Sequence, residues 1–219
     1  VDEAALFPVL LSLRVAAFAL GVAGPLGVLL AWAQTRRWPG RGVLDALVLL
    51  PMVLPPSVVG YGLVLLFGRH GLAAPALEAL GVRLIFSPAG AVVASALVAL
   101  PLVVKTAEPA LSAVPAAQVD VARSLGSGPV GVFFRVILPI AWPGVVAAWV
   151  LGFARAIGEF GATLMFAGNI PGRTNTMPIE IFSLHQAGHD ERAFAYVIVL
   201  TALSAAVVVV ASALRGGPA

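Results

Sequence analysis

Residues 117–144 read AQVDVARSLGSGPVGVFFRVILPIAWPG. The stretch passes from polar to amphipathic to apolar in a chain otherwise dominated by apolar runs. Val119, Ala122 and Leu125 recur in steps of three, which places them with Gly126 in a narrow stripe on one face of a short helix. Asp120 falls in the first turn of that helix, where a negative charge suits the dipole. Gly126 can close the helix in a left-handed conformation at low cost. Ser127-Gly128-Pro129 prevents it from continuing, and Pro139 and Pro143 start or kink the apolar span that follows. On these features alone, the stretch is a short amphipathic helix in a loop between apolar segments.

Composition says where such a loop sits. Of 219 residues, 60% are hydrophobic and 11% charged, against about 25% charged in soluble domains. Mean hydropathy is +1.03. A chain this apolar cannot keep a soluble surface and belongs in a bilayer. The excess of 13 basic over 10 acidic groups reads as an orientation signal, because no basic run or aromatic-interleaved basic patch points to nucleic acid. Cysteine is absent, which excludes disulfides and thiolate metal or redox sites. The start, Val1-Asp2-Glu3, lacks the positive region of a cleavable signal. Its missing Met suggests a trimmed start.

Spans of about 20 apolar residues fit at 6–33, 43–67, 85–107, 141–166 and 193–214. The fold class is therefore all-α, a polytopic membrane helix bundle of five spans. A sixth exists only if 71–92 inserts, and Glu78 and Arg83 argue against that. Arg14 lies near the N-terminal end of the first span and can snorkel to the interface. The second span is broken by Pro51 and by Pro55-Pro56-Ser57. Such breaks leave carbonyls that a neighbouring helix or a water-filled cavity must satisfy. Residues 68–84 form a loop with a weak helix pattern. Lys105 and Glu108 mark the exit of the third span, and residues 167–192 are polar by the standards of this chain. The tail from Arg215 carries no appended regulatory domain.

Five spans put the termini on opposite sides. With the N-terminus outside, the inner segments hold Arg36, Arg37, Arg41, Lys105, Arg123, Arg135 and Arg215. The outer ones hold Arg69, Arg83, Arg173 and Arg192. Seven against four favours this orientation. It places the 117–139 loop and the C-terminus in the cytoplasm.

No G-x-x-x-x-G-K-[ST] or G-x-S-x-G pattern occurs, so neither nucleotide binding nor a serine nucleophile is indicated, and no cofactor is implied. His185 and His189 stand at i, i+4 with Asp190 adjacent, a spacing that can hold metal. A plain outward-facing loop helix explains them better. Arg155 and Glu159 are the informative charges. They stand at i, i+4 inside the fourth span, where ionisable groups pair or face a cavity. They form either an internal clamp between helices or a site where Arg155 positions an anion. Gly152, Gly158, Gly161 and Ala162 leave room there for close helix approach.

The 117–139 segment resembles the EAA loop of ABC importer permeases, which runs acidic-Ala-Ala, three residues, Gly, nine residues, Ile, any residue, Leu-Pro. Here Asp120-Val121-Ala122 is followed at that spacing by Gly126 and by Val136-Ile137-Leu138-Pro139. The residues that match the motif, and so carry its ATPase-coupling role, are Asp120, Ala122, Gly126, Val136, Leu138 and Pro139. In that family the loop is a helix, a turn at Gly and a second helix, docked into a cleft on a separate ATPase. Residues 153–173, FARAIGEFGATLMFAGNIPGR, are similar to the corresponding segment of molybdate permeases. Sulfate permeases share the Ala-Arg-Ala-x-Gly-Glu-Phe-Gly-Ala core. Leu54-Pro55-Pro56 followed by Gly60-Tyr61 is similar to the second span of the same family. The resemblance covers about residues 7–214, read as a single type I transmembrane domain.

The resemblance implies a permease for molybdate in the cell membrane of a bacterium or archaeon. It would act as a homodimer, with two ATP-binding subunits and an extracytoplasmic oxyanion-binding protein, in contact with membrane lipid and not with nucleic acid. Ser57, Arg155 and Glu159 are the path candidates. A sulfate, thiosulfate or tungstate permease is the alternative within the family. A stand-alone secondary transporter would be expected to show inverted repeats or several midplane carboxylates. This chain has one such carboxylate, Glu159, and no visible repeat.

Overall fold

Small residues spaced along three long helices set the core of this protein. The computed structural model describes residues 3–215. Val1, Asp2 and residues 216–219 lie outside the described residues, as do the side chains of Glu3, Ala4, Leu214 and Arg215, so the acidic start and the basic tail have no structural account. The described residues form eleven α-helices: α1 Glu3–Gln34, α2 Arg41–Val53, α3 Pro56–Phe67, α4 Ala74–Ala79, α5 Pro88–Ser112, α6 Ala116–Ser124, α7 Pro129–Val132, α8 Leu138–Ile157, α9 Gly161–Ala167, α10 Met177–Gln186 and α11 Asp190–Arg215. A five-residue π turn, Phe133–Ile137, joins α7 to α8. There is no strand among the described residues.

α1, α5 and α8 pack against one another. Gly27 of α1 and Gly152 of α8 both face Val103 of α5. A Cβ at Gly27 would lie 2.6 Å from Val103 Cγ1, and one at Gly152 would lie 2.5 Å from Val103 Cγ2. Ala16, Ala19 and Ala23 continue the contact with Ala96, Ala99 and Ala156. In a bilayer, close approach of this kind drives helix association by dispersion, because lipid tails remove the hydrophobic drive between helices.

Side-chain pairings fix the direction of each crossing. Leu11 and Val15 of α1 cluster with Ala91 at the start of α5, while Gln34 at the end of α1 accepts from Lys105 late in α5. α1 and α5 are thus parallel, and the chain between them makes one net crossing. α8 is antiparallel to both, since Gly144 meets Ala110 and Ala156 packs with Ala96. α11 starts beside the beginning of α1, where the Tyr196 hydroxyl donates to the Ala5 carbonyl at 2.8 Å. The bundle therefore has five crossings. The 35–40 and 113–128 loops share one end, and the 68–87 and 168–189 segments share the other.

Among the described residues four helices are long and apolar enough to cross a membrane, and the fifth crossing is the bent pair α2–α3. The second span is a correction in detail. Pro51 stays inside α2, and the break is at Leu54-Pro55, where the axis turns by 113°. Leu54 and Pro55 each precede a proline and are both extended (ψ 144° and 135°), because the following ring excludes helical backbone. The third span starts at Pro88, where the Ser87 hydroxyl accepts from the Gly90 N–H at 3.1 Å as N-cap. It runs on past Lys105 and Glu108 to Ser112. The fourth, expected over 141–166, is helical from Pro129 through the π turn to Ile157 and then breaks.

The 167–192 segment is ordered rather than a plain loop. The Thr174 hydroxyl donates to the Gly168 carbonyl and accepts from the Ile170 N–H, both at 3.0 Å. The Asn175 carbonyl accepts from the Gly172 N–H at 3.0 Å. Ser12 accepts from the Met177 N–H at 2.7 Å, tying α10 to α1. Phe86 is held at φ 54°, an uncommon conformation for a bulky residue. Its N–H donates to the Phe166 carbonyl at 3.2 Å, and its ring rests where a Cβ on Gly168 would lie, at 2.8 Å.

Candidate coupling helix and anion cleft

The two groups of residues marked by the sequence lie at different levels of the bundle and are joined by one helix. α6 carries no buried residue. It starts at Ala116, after Pro115, so Asp120 is in its second turn and not in the first. Asp120 instead pairs across one turn with Arg123 at 3.6 Å, in solvent. Gly126 closes α6 at φ +83°. The Ser127 N–H reaches the Ala122 carbonyl at 3.0 Å and the Gly126 N–H reaches the Arg123 carbonyl at 2.9 Å, the two bonds of a Schellman motif.

The expected stripe is not buried as a unit: Val119 and Ala122 are partly covered, while Leu125 and Gly126 are exposed. Val121 is 61% and Leu125 81% exposed, and with Ala117, Gln118, Ala122 and Val136 they line an open apolar groove. Leu138 is partly buried and Pro139 exposed in the first turn of α8. An apolar groove on a helix with no buried residue lowers free energy only when something covers it.

Glu159 is not within the fourth helix, as its spacing from Arg155 had suggested. α8 ends at Ile157, Gly158 follows, and α9 begins at Gly161. In that gap Glu159 Oε1 accepts from the Ala162 N–H at 2.9 Å, capping α9. Glu159 Oε2 lies 2.8 Å from Arg155 Nη1. The Glu159 side chain is 2% exposed and that of Arg155 is 35% exposed. Both carboxylate oxygens are therefore satisfied, which a charge buried this deeply requires.

Arg155 lines a cleft of about 120 Å³ with Pro51, Met52, Leu54, Pro56, Val98 and Leu102. The broken second span and the ion pair thus meet at one place. Ser57, exposed on the first turn of α3, is beside it: a Cβ at Gly161 would lie 3.0 Å from Pro56 Cβ and 3.3 Å from the Ser57 nitrogen. Gly60 lets α3 close on α9 in the same way, against the Ala162 carbonyl and Met165.

Sequence reasoning missed one polar network. Lys105 Nζ donates to Asp45, to Glu108 at 3.0 Å and to Gln34 at 3.1 Å, and Arg41 pairs with Glu108 at 3.1 Å. It joins α1, α2 and α5 at the α6 end of the bundle. The i, i+3 spacing of Lys105 and Glu108 was its only local signal. His185 pairs with Asp190 at 2.8 Å in solvent. Among the described residues no group of three or more His, Cys, Asp or Glu side chains comes together to hold a metal.

Known proteins share both the sequence pattern and the fold. The family model described as "Binding-protein-dependent transport system inner membrane component" matches residues 23–216. The molybdenum transport system permease protein ModB of Escherichia coli K12 is 41% identical over 195 residues, covering 88% of this chain and 85% of that protein. A probable sulfate transport system permease protein, cysT, of Chlorokybus atmophyticus is 35% identical over 182 residues, covering 83% of this chain and 64% of that protein. The crystal structure of a bacterial ABC transporter involved in alginate import superposes with a TM-score of 0.77 at 16% identity, over all of this chain and 82% of that one. With its bent second crossing, its exposed short helix α6 and a family match over most of its length, the chain belongs to the inner-membrane components of binding-protein-dependent ABC importers.

Proposed function

We propose that this chain is the permease subunit of an importer for molybdate. The similarity to permeases named for molybdenum carries the reading: 41% identity over 88% of the chain, against 35% over 83% for the sulfate-named relative. Residues 7–214 act as one transmembrane domain, paired with a second copy. Two ATP-binding subunits supply the energy, since the chain has no phosphate-binding loop. An extracytoplasmic protein delivers the anion. The N-terminus is outside, and α6 and the C-terminus are cytoplasmic, on the charge asymmetry.

The geometry suggests how the parts work together. The open face of α6 at Val121 and Leu125 is the ATPase contact, with Asp120, Ala122, Gly126, Val136, Leu138 and Pro139 shaping the helix, its turn and the entry into α8. Helix is continuous from Pro129 to Ile157, 29 residues, about 43 Å. Movement of α6 is therefore passed along α8 to its end, where Arg155 and Glu159 sit beside the α2–α3 break. Arg155 keeps donors free on its exposed edge, and these meet the anion as it passes. Pairing with Glu159 weakens that contact enough for release.

Uptake of labelled molybdate by the assembled system, with tungstate and sulfate as competitors, tests the cargo. A Gly126 variant that does not dock the ATPase is the control. Block by tungstate but not by modest sulfate supports the reading. Equal block by sulfate, or sulfate entry without molybdate entry, moves the chain to the sulfate branch.

A further inference from the structure

At the end of the bundle opposite α6, four basic side chains surround one basin. Arg69 and His70 follow α3, Arg83 precedes α5, and Arg173 stands on the ordered 168–176 loop. Together with Phe86 they line a cavity of about 570 Å³. All four basic side chains are exposed. Among the described residues no carboxylate comes within 4 Å of Arg69, Arg83 or Arg173, whereas Arg41, Arg123 and Arg155 each have one. Glu78 lines the adjoining cleft with Arg69 and Arg83 but makes no ion pair with either. Arg173 also borders a second groove, which holds Arg14.

Unpaired like charges around a concavity repel one another and create a positive potential that concentrates anions. The C-terminal end of α3 opposes this with about half a negative charge, against three guanidiniums. Phe86 in the basin lining stands at φ 54°, with its N–H on the Phe166 carbonyl and its ring against Gly168, and strained backbone of this kind persists where surrounding structure over-determines it. The cavity is within the range of small-molecule sites and far larger than a five-atom oxyanion. Its charges are on exposed, flexible side chains, so it suits a hydrated ion in fast exchange, not tight capture.

We propose that this basin is a receiving site for a hydrated divalent tetrahedral oxyanion, occupied on release from the delivering protein and before the Arg155 cleft. The proposal rests on the importer reading and on the orientation given above. The chain has no cysteine, so His70→Cys places a single thiol in the basin. The assembled complex in sealed vesicles is treated with membrane-impermeant thiosulfonate reagents, one anionic and one cationic, and modification is followed by the mass of the permease chain. We expect the anionic reagent to react about ten-fold faster from the outer side. Millimolar molybdate, tungstate or sulfate should slow it more than chloride at equal ionic strength does. Arg69→Gln, Arg83→Gln and Arg173→Gln combined should remove both the preference and the protection while leaving assembly intact.

Equal rates for the two reagents would overturn the proposal, as would protection no greater than that of chloride. Protection by the binding protein alone would assign the basin to protein docking instead. Reaction only from the α6 side would overturn the orientation, and the entry role with it, while leaving the cargo to the uptake experiment.

Discussion

Glu159 holds two structures together with one carboxylate. One oxygen caps α9 through the Ala162 N–H, and the other lies 2.8 Å from Arg155 Nη1. Glu159→Ala removes the cap and leaves Arg155 without its counter-charge. The expected loss is about 3 kcal/mol, the lower end for breaking a buried pair, because Arg155 reaches solvent. Glu159→Gln keeps an acceptor for Ala162 and should lose less. Arg155→Ala leaves a buried carboxylate unpaired but keeps the cap, and should reduce uptake more than it reduces melting temperature. Melting of the purified complex, read beside uptake, separates these. Identical melting of Glu159→Ala and wild type would show that the pair does not hold the α8–α9 gap.

Val103 fills the space left by two glycines. Gly27→Ala or Gly152→Ala sets a new methyl about 2.5 Å from a Val103 methyl, which should cost about 1–3 kcal/mol by overpacking. Adding Val103→Ala should restore much of the loss, because the two substitutions share one contact. The check is a double-mutant cycle on thermal melting. Simple additivity would contradict the packing described.

Gly126 and Leu125 separate folding from docking. Gly126 stands at φ +83° with nothing within 4 Å of a built Cβ, so Gly126→Val meets no clash but strains the turn by about 1–2 kcal/mol. Leu125→Asp removes apolar surface that the chain itself leaves 81% exposed. Leu125→Asp should melt close to wild type and Gly126→Val a few degrees lower, and both should fail to co-purify with the ATPase. Normal co-purification of Leu125→Asp would exclude this face as the contact.

The Lys105 network ties the α6 end of the bundle. Its members are partly exposed, so Lys105→Met should cost about 1–2 kcal/mol rather than the larger sum of its bonds. Asp45→Asn should then have little further effect. Added salt should narrow the difference between wild type and Lys105→Met. A Lys105→Met chain as stable as wild type at low salt would show that the network adds nothing to stability.

The apolar spans and the short exposed helix closed at Gly126 were legible in the sequence because they depend on local properties. Hydropathy sums over about 20 residues, helical period sorts one face from another, and Gly126 and the paired prolines act on their own backbone. Other features were not, and several of them depended on which helix faces meet. Asp120 left the first turn because Pro115 let α6 begin earlier. Glu159 left the helix because α8 ends at Ile157 and its carboxylate found a partner at Ala162. Pro51 stayed helical while Leu54-Pro55 turned the axis by 113°. Asp45 met Lys105, and Arg69, Arg83 and Arg173 came to one basin, through crossings that no local pattern encodes. The sequence determined what each segment prefers; the tertiary structure decided which charges would face each other, because that is settled by packing between helices far apart in the chain.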